Sequence, residues 1–151
     1  MSDDYIHIIP AKPGQVPEEG KRKAAAAYFR SIAPKADEVG VTISKHLQFI
    51  HCGGNFGKIC CPACGAEIEL DLWQDWMNAD WDEKGFTLRP HAMPCCGVKH
   101  TLHDLAYEWP QGFARCDVRA KNPNIGKVSN EQRVRFEAIL GCPIRVIYEH
   151  M

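Results

Sequence analysis

Phe113-Ala114-Arg115-Cys116-Asp117-Val118-Arg119-Ala120-Lys121 alternates along its whole length. Ala114, Cys116, Val118 and Ala120 fall on one side, and Arg115, Asp117, Arg119 and Lys121 on the other. A period of two with one apolar side predicts a half-buried strand. Asn122-Pro123-Asn124 ends it, since proline and asparagine favour turns. Ser129 followed by Gln132 forms a capping box, which predicts the start of a helix carrying Val134, Phe136, Ile139 and Leu140. Gly141 suits the close of that helix, and Pro143 to Glu149 reads as another strand.

The same order precedes it at the other end of the chain. Tyr5-Ile6-His7-Ile8-Ile9-Pro10 is β-branched and stops at proline, as a first strand does. Pro13 and Gly14 make a turn, and Pro17 with Glu18 and Glu19 suits the positive end of a helix. Ala24 to Phe29 is helix-forming, Pro34 stops it, and Val39 to Ile50 reads as a second strand. Two β-α-β halves predict an α+β fold, a ferredoxin-like split β-α-β sandwich with an antiparallel sheet and two helices on one face. On this reading residues 1–51 and 101–151 form the sandwich, and 52–100 is a zinc-ribbon-like insertion between its halves. Leu102 to Trp109 is expected to add a strand paired with 113–121 through Pro110-Gln111-Gly112.

The 151 residues are 45% hydrophobic and 25% charged, enough apolar material for a core that does not depend on metal alone. The formal net charge of −1 argues against coating nucleic acid by bulk electrostatics. That near-zero total hides an uneven distribution. Residues 66–85 hold seven carboxylates against Lys84 alone, whereas residues 113–151 hold seven Lys or Arg against four Asp or Glu. Met1-Ser2-Asp3-Asp4 lacks the basic and apolar parts of a secretion signal, and no apolar run approaches the ~20 residues of a membrane span. A cytoplasmic location is therefore expected, and there eight cysteines point to metal before disulfides.

Cys61-Pro62-Ala63-Cys64-Gly65 has the spacing at which two thiolates grip one ion, with a glycine that lets the backbone turn tightly behind them. These five residues resemble the first knuckle of the zinc-ribbon class. The resemblance implies a structural zinc site completed by a second knuckle and says little about activity. Pro94-Cys95-Cys96-Gly97 is the place for that second knuckle, but Met93 stands where a standard one has cysteine. The expected ligands are Cys61, Cys64, Cys95 and Cys96, with Cys52, His100 or His103 as the residues that would otherwise replace Cys95. Cys116 and Cys142 read as core, and Cys60 is undecided. His7, His46, His91 and His150 lack partner spacing and default to ordinary surface or core residues.

No catalytic residue is assigned. The chain has no His-Glu-x-x-His, no Gly-x-Ser-x-Gly and no His-x-Glu of the zinc deaminases. Gly14 to Lys21 imitates a phosphate loop, but its glycines enclose five residues and Arg22 stands where Ser or Thr would hold magnesium. A zinc enzyme would need Cys96, His100 and His103 to share an ion with one open position. A strand over that segment would send the two histidines to opposite faces.

Residues 70–82 have helical spacing. Leu70, Trp73, Met77 and Trp81 are expected on the inner side and Asp71, Asp75 and Asp82 on the outer, with Trp76 at the margin. Trp76 and the three aspartates are the expected partner-binding residues, because tryptophan anchors interfaces and carboxylates favour a basic partner. The leading functional expectation is a non-catalytic, zinc-stabilised protein that docks a macromolecule, more readily a protein than a nucleic acid and not a membrane. Small bacterial immunity proteins are similar in size and charge habit. Nucleic-acid binding through Arg115, Arg119 and Lys121 is the alternative, although that strand lacks an aromatic pair for base stacking. A zinc enzyme comes third.

Overall fold

Residues 2–151 are described by a computed structural model. In chain order the elements are β1 (Asp4–Pro10), α1 (Glu19–Ile32), β2 (Glu38–Ile50), β3 (Ile59–Cys60), β4 (Glu67–Ile68), α2 (Leu70–Asp80), β5 (His91–Ala92), β6 (Lys99–His100), β7 (Ala106–Tyr107), β8 (Gly112–Lys121), α3 (Asn130–Leu140) and β9 (Ile144–His150). The fold is α+β. Strands β1, β2, β8 and β9 form one antiparallel sheet in the order β2-β8-β1-β9, so the first strand of each β-α-β half lies at the centre.

Helices α1 and α3 cover one face of that sheet. Ala25, Ala26 and Phe29 of α1 meet Phe136 and Leu140 of α3 over Ile6, Ile8, Val118 and Val146. Phe29 and Phe136 are fully buried and meet edge-on, with ring centroids 5.2 Å apart, the arrangement that suits their quadrupoles. The capping box of α3 is present in both bonds: Gln132 N–H donates to Ser129 Oγ, and Ser129 N–H donates to Gln132 Oε1. Gly141 ends the helix at φ 74°, a left-handed value that glycine tolerates best. α1 begins two residues beyond the expected Pro17, with Glu18 as its flanking residue.

The alternation of β8 does not run unbroken. Ala114 packs with Ile9, Cys52 and Ile147 rather than in the cluster that holds Val118 and Ala120. The pairing of β2 with β8 shifts register between Ile43 and Gln48, opposite Cys116 and Ala114, and such irregularities re-aim the residues beyond them.

The expected strand over Leu102 to Trp109 is a second difference. Residues 102–104 form a 3-10 turn, and Ala106–Tyr107 pairs with β3 rather than with β8. Leu102 and Leu105 are both buried in the same cluster, which an extended strand would not permit for residues three apart. That cluster also holds Ile59, Cys61, Ile68, Trp73, Met77, Met93 and Phe113. β8 therefore serves two cores, Phe113 in this one and Val118 in the other. No helix of the described residues is long and apolar enough to cross a membrane.

Candidate metal centre

Two short hairpins of like geometry face each other. In the first, β3 and β4 flank Cys61-Pro62-Ala63-Cys64-Gly65; in the second, β5 and β6 flank Met93-Pro94-Cys95-Cys96-Gly97. Cys61 N–H donates to Ala66 O and Gly65 N–H to Cys61 O, while Met93 N–H donates to Val98 O and Gly97 N–H to Met93 O. Gly65 and Gly97 have φ of 78° and 75°, so each loop needs glycine for the same turn. Met93 thus occupies the place of Cys61 and is buried as an apolar side chain. Cys95 supplies the missing thiol from the position that Ala63 holds in the first loop.

The result is one cluster. Sγ atoms of Cys61, Cys64, Cys95 and Cys96 all lie within 4.8 Å of one another, with Cys61 and Cys96 at 3.7 Å and Cys64 and Cys95 at 3.2 Å. Cys61 is buried and the other three are exposed, and none of the eight cysteines is in a disulfide. Burial works against ionising the Cys61 thiol, yet the N–H groups of Cys64 and Ala63, with the thiols of Cys96 and Cys95, draw its pKa down to about 6. Cys95 is pushed up to about 12, first by its bond with Cys64, then by burial and by Cys61 and Cys96. One thiolate forms readily while a neighbour keeps its proton. Four thiolates need a cation among them, and these residues can hold a metal ion.

The other expected ligands lie elsewhere. Cys52 is fully buried with Ile9, Ala114 and Ile147. His103 uses both ring nitrogens, Nε2 on Ala11 O at 2.7 Å and Nδ1 accepting from Phe113 N–H at 3.0 Å. His100 sits in β6 opposite His91, outside the cysteine group. Cys96, His100 and His103 therefore do not form a shared ligand set. Cys60 is half-buried in β3, and Cys116 and Cys142 are buried.

Helix α2 runs beside the cluster's core and departs from the expected stripe at both ends. Trp73 and Met77 point inward, but Leu70 is 54% exposed and Trp81 46% exposed. Leu70 is the first helical residue, and Trp81 follows the last with an extended backbone, so the stripe is broken where the helix is. Trp76 is half-buried and stacks on His91 at 5.1 Å. The adjacent Asp80 is almost fully buried and is bonded through both oxygens by His91 Nε2 at 3.1 Å. Asp71 and Asp75 are exposed on α2. Asp82 lies beyond the helix, where its carboxylate accepts from the N–H groups of Lys84 and Gly85, and these hold its pKa below the usual range.

An ion pair that spacing could not reveal sits in the sheet. His7 Nδ1 meets Asp117 Oδ2 and Nε2 meets Glu149 Oε1, both at 2.7 Å. Burial lowers the affinity of His7 for its proton, but the two carboxylates outweigh it and raise the pKa to about 9. His7 lies 110 positions from Asp117 and 142 from Glu149, so only the strand order joins them. The single sequence-level signal was Asp117 on the polar side of an otherwise basic strand.

Fold and centre together define an α+β chain with a four-cysteine cluster able to bind metal. No family model matches the chain, and neither a curated protein nor a solved structure does so.

Proposed function

We propose that this chain is a non-catalytic, zinc-stabilised binding protein whose acidic α2 surface docks a basic protein. The observation that supports it most is the four-cysteine cluster. A tetrahedral zinc with Zn–S bonds of ~2.3 Å has sulfurs about 3.8 Å apart, which lies inside the range from 3.2 Å for Cys64 and Cys95 to the 4.8 Å that bounds the whole group. Four thiolates fill a tetrahedral ion completely, which is the pattern of structural rather than catalytic zinc. The ion would tie the two hairpins together and hold α2 against them through Trp73, Met77 and Met93.

What α2 presents outward supports the docking role. Asp71 and Asp75 follow exposed Leu70 on the helix, and at the other end Trp81 is partly exposed while packing on Phe86. Exposed aromatic surface beside unpaired carboxylates favours a basic partner, and an immunity-type inhibitor is one form such a protein takes. Trp76 contributes from the edge of this surface.

Elemental analysis should find one zinc per chain, and none in Cys64→Ser. Partners captured by the zinc-loaded protein should be lost from Asp71→Lys/Asp75→Lys and from Trp81→Ala at unchanged zinc content, and should protect 70–82 from hydrogen exchange. Zinc-free native protein defeats the metal reading. Protection confined to the sheet, or capture unaffected by both variants, defeats the docking reading.

A further inference from the structure

The face of the sheet opposite α1 and α3 holds a cavity of about 310 Å³. It is lined by Tyr5, His7, Arg115, Asp117, Arg119 and Glu149 among others, and by no residue of α2 or the cysteine centre. The pair of carboxylates around His7 forms its floor. The side chains of His7, Asp117 and Glu149 are 5%, 9% and 10% exposed. With His7 protonated and both carboxylates ionised, the floor carries one more negative charge than positive. Asp117 Oδ1 is buried and has no hydrogen-bond partner. A buried carboxylate oxygen without a donor is costly, and it leaves the negative charge of Asp117 only partly offset by His7.

The rim has the opposite sign. Arg119 is exposed, with its guanidinium over the Tyr5 ring at 5.9 Å. Arg115 is half-buried and donates from Nε to Ser44 O at 3.0 Å. Neither is paired with a carboxylate among the described residues. Both nitrogens of His7 are already bonded, so it does not act as a base toward a ligand; it fixes the two carboxylates. An acceptor at the floor and guanidinium groups above it set up a gradient from negative to positive.

We propose that this cavity binds a small zwitterion, with an ammonium group drawn to the carboxylates of Asp117 and Glu149 and a carboxylate held by Arg119 and Arg115. Free α-amino acids are the matching chemical class. The volume lies at the small end of ligand pockets, which suits a molecule of that size. Phosphate-bearing ligands fit poorly, because the carboxylates of Asp117 and Glu149 face whatever enters. The proposal is independent of zinc and of the α2 surface.

The test is a titration of full-length, zinc-loaded protein labelled at histidine, following the His7 ring nitrogens by NMR. L-glutamine should give saturable shifts. Methylamine and acetate, each carrying half of the ligand, should bind at least about tenfold more weakly, since each leaves one end of the site unpaired. Asp117→Asn should weaken L-glutamine about tenfold. Should that variant fail to fold, Arg119→Gln alters only an exposed side chain. It should weaken L-glutamine and acetate about tenfold while leaving methylamine unchanged. No saturable shift with L-glutamine at tens of millimolar, or equal losses for all three probes in Arg119→Gln, overturns the proposal.

Discussion

Around Phe29 and Phe136 the chain is held by apolar contact between two helices and a four-stranded sheet. Around Cys61 and Cys96 it is held by strands of two residues each, a single helix, and four thiols that do not ionise together unaided. The first region has hydrogen-bonded strands seven to thirteen residues long. Two-residue strands cannot stand alone, so the second region draws its order from side-chain packing and, on the proposed reading, from an ion held by its four cysteines. One chain thus contains a conventional core and a small one beside a candidate metal centre, joined along β8.

Cys64→Ser should give the largest effect. Structural zinc in isolated peptides contributes ~10–16 kcal/mol, and removing one of four thiolates forfeits most of it. Stoichiometric zinc should disappear, and amide exchange should rise throughout 52–107 while β1, α1, α3 and β9 stay protected. Since Phe113 belongs to the metal-side core, protection should fail at the start of β8 before its end. If the whole sheet exchanges with the hairpins, the two regions form one cooperative unit and the contrast between them disappears.

Trp73→Ala comes next, at ~3–5 kcal/mol for a buried large-to-small change. Trp73 is 6% exposed, and its Nε1–H donates to Tyr107 Oη at 3.2 Å, which in turn donates to Leu102 O at 2.7 Å. Trp76→Ala removes one half-buried stacking contact with His91 and should cost about 1–2 kcal/mol. Thermal melts of the zinc-loaded variants decide this. Equal losses would mean that Trp76 is as much core as Trp73, and would weaken its part in docking.

The α+β order of strands and helices at the two ends of the chain was legible in the sequence because its signals are local. A capping box, a glycine stop and an alternating strand each declare themselves within a dozen residues, and the structure has the first two in full and the third from Cys116 to Lys121. Cys61, Cys64, Cys95 and Cys96 were legible because ligand spacing within a knuckle is also local. What escaped depends on contacts between distant segments. Leu102 to Trp109 has the composition of a strand, but His103 is drawn into bonds with Ala11 and Phe113, and Leu105 into the core with Leu102. His7 has no neighbour in sequence that hints at Asp117 or Glu149. Asp80 stood out in no pattern of the sequence, and nothing in spacing pairs it with His91.

His7 also gives the sandwich a pH dependence of its own. Its folded pKa of about 9 lies above the ordinary 6.5, so its contribution is complete below pH 6.5 and lost as pH rises through about 9. That shift corresponds to about 3 kcal/mol. Glu149, held below its ordinary range by His7 despite burial, adds stability at neutral pH that disappears under acid. Denaturant melts of zinc-loaded protein should weaken from pH 6.5 to 9, and His7→Gln should flatten that decline. A decline of equal size in His7→Gln would place its origin elsewhere.

Ser129→Ala should have the smallest effect and gives the finest test of the contrast. Ser129 caps α3 from an exposed position, and the reciprocal bond from its own N–H to Gln132 Oε1 survives only if the cap geometry does. Losing the hydroxyl leaves the Gln132 N–H to water, at a cost of ~1 kcal/mol. No residue of the cysteine cluster contacts α3 within its core, since Phe136 and Leu140 pack only in the cluster with α1. If the two regions open separately, exchange should quicken in α3, α1 and the sheet, while the hairpins around Cys61 and Cys96 keep their wild-type rates. If the hairpins quicken by the same factor, global unfolding limits both. The metal then stabilises the sandwich as strongly as it does its own knuckles.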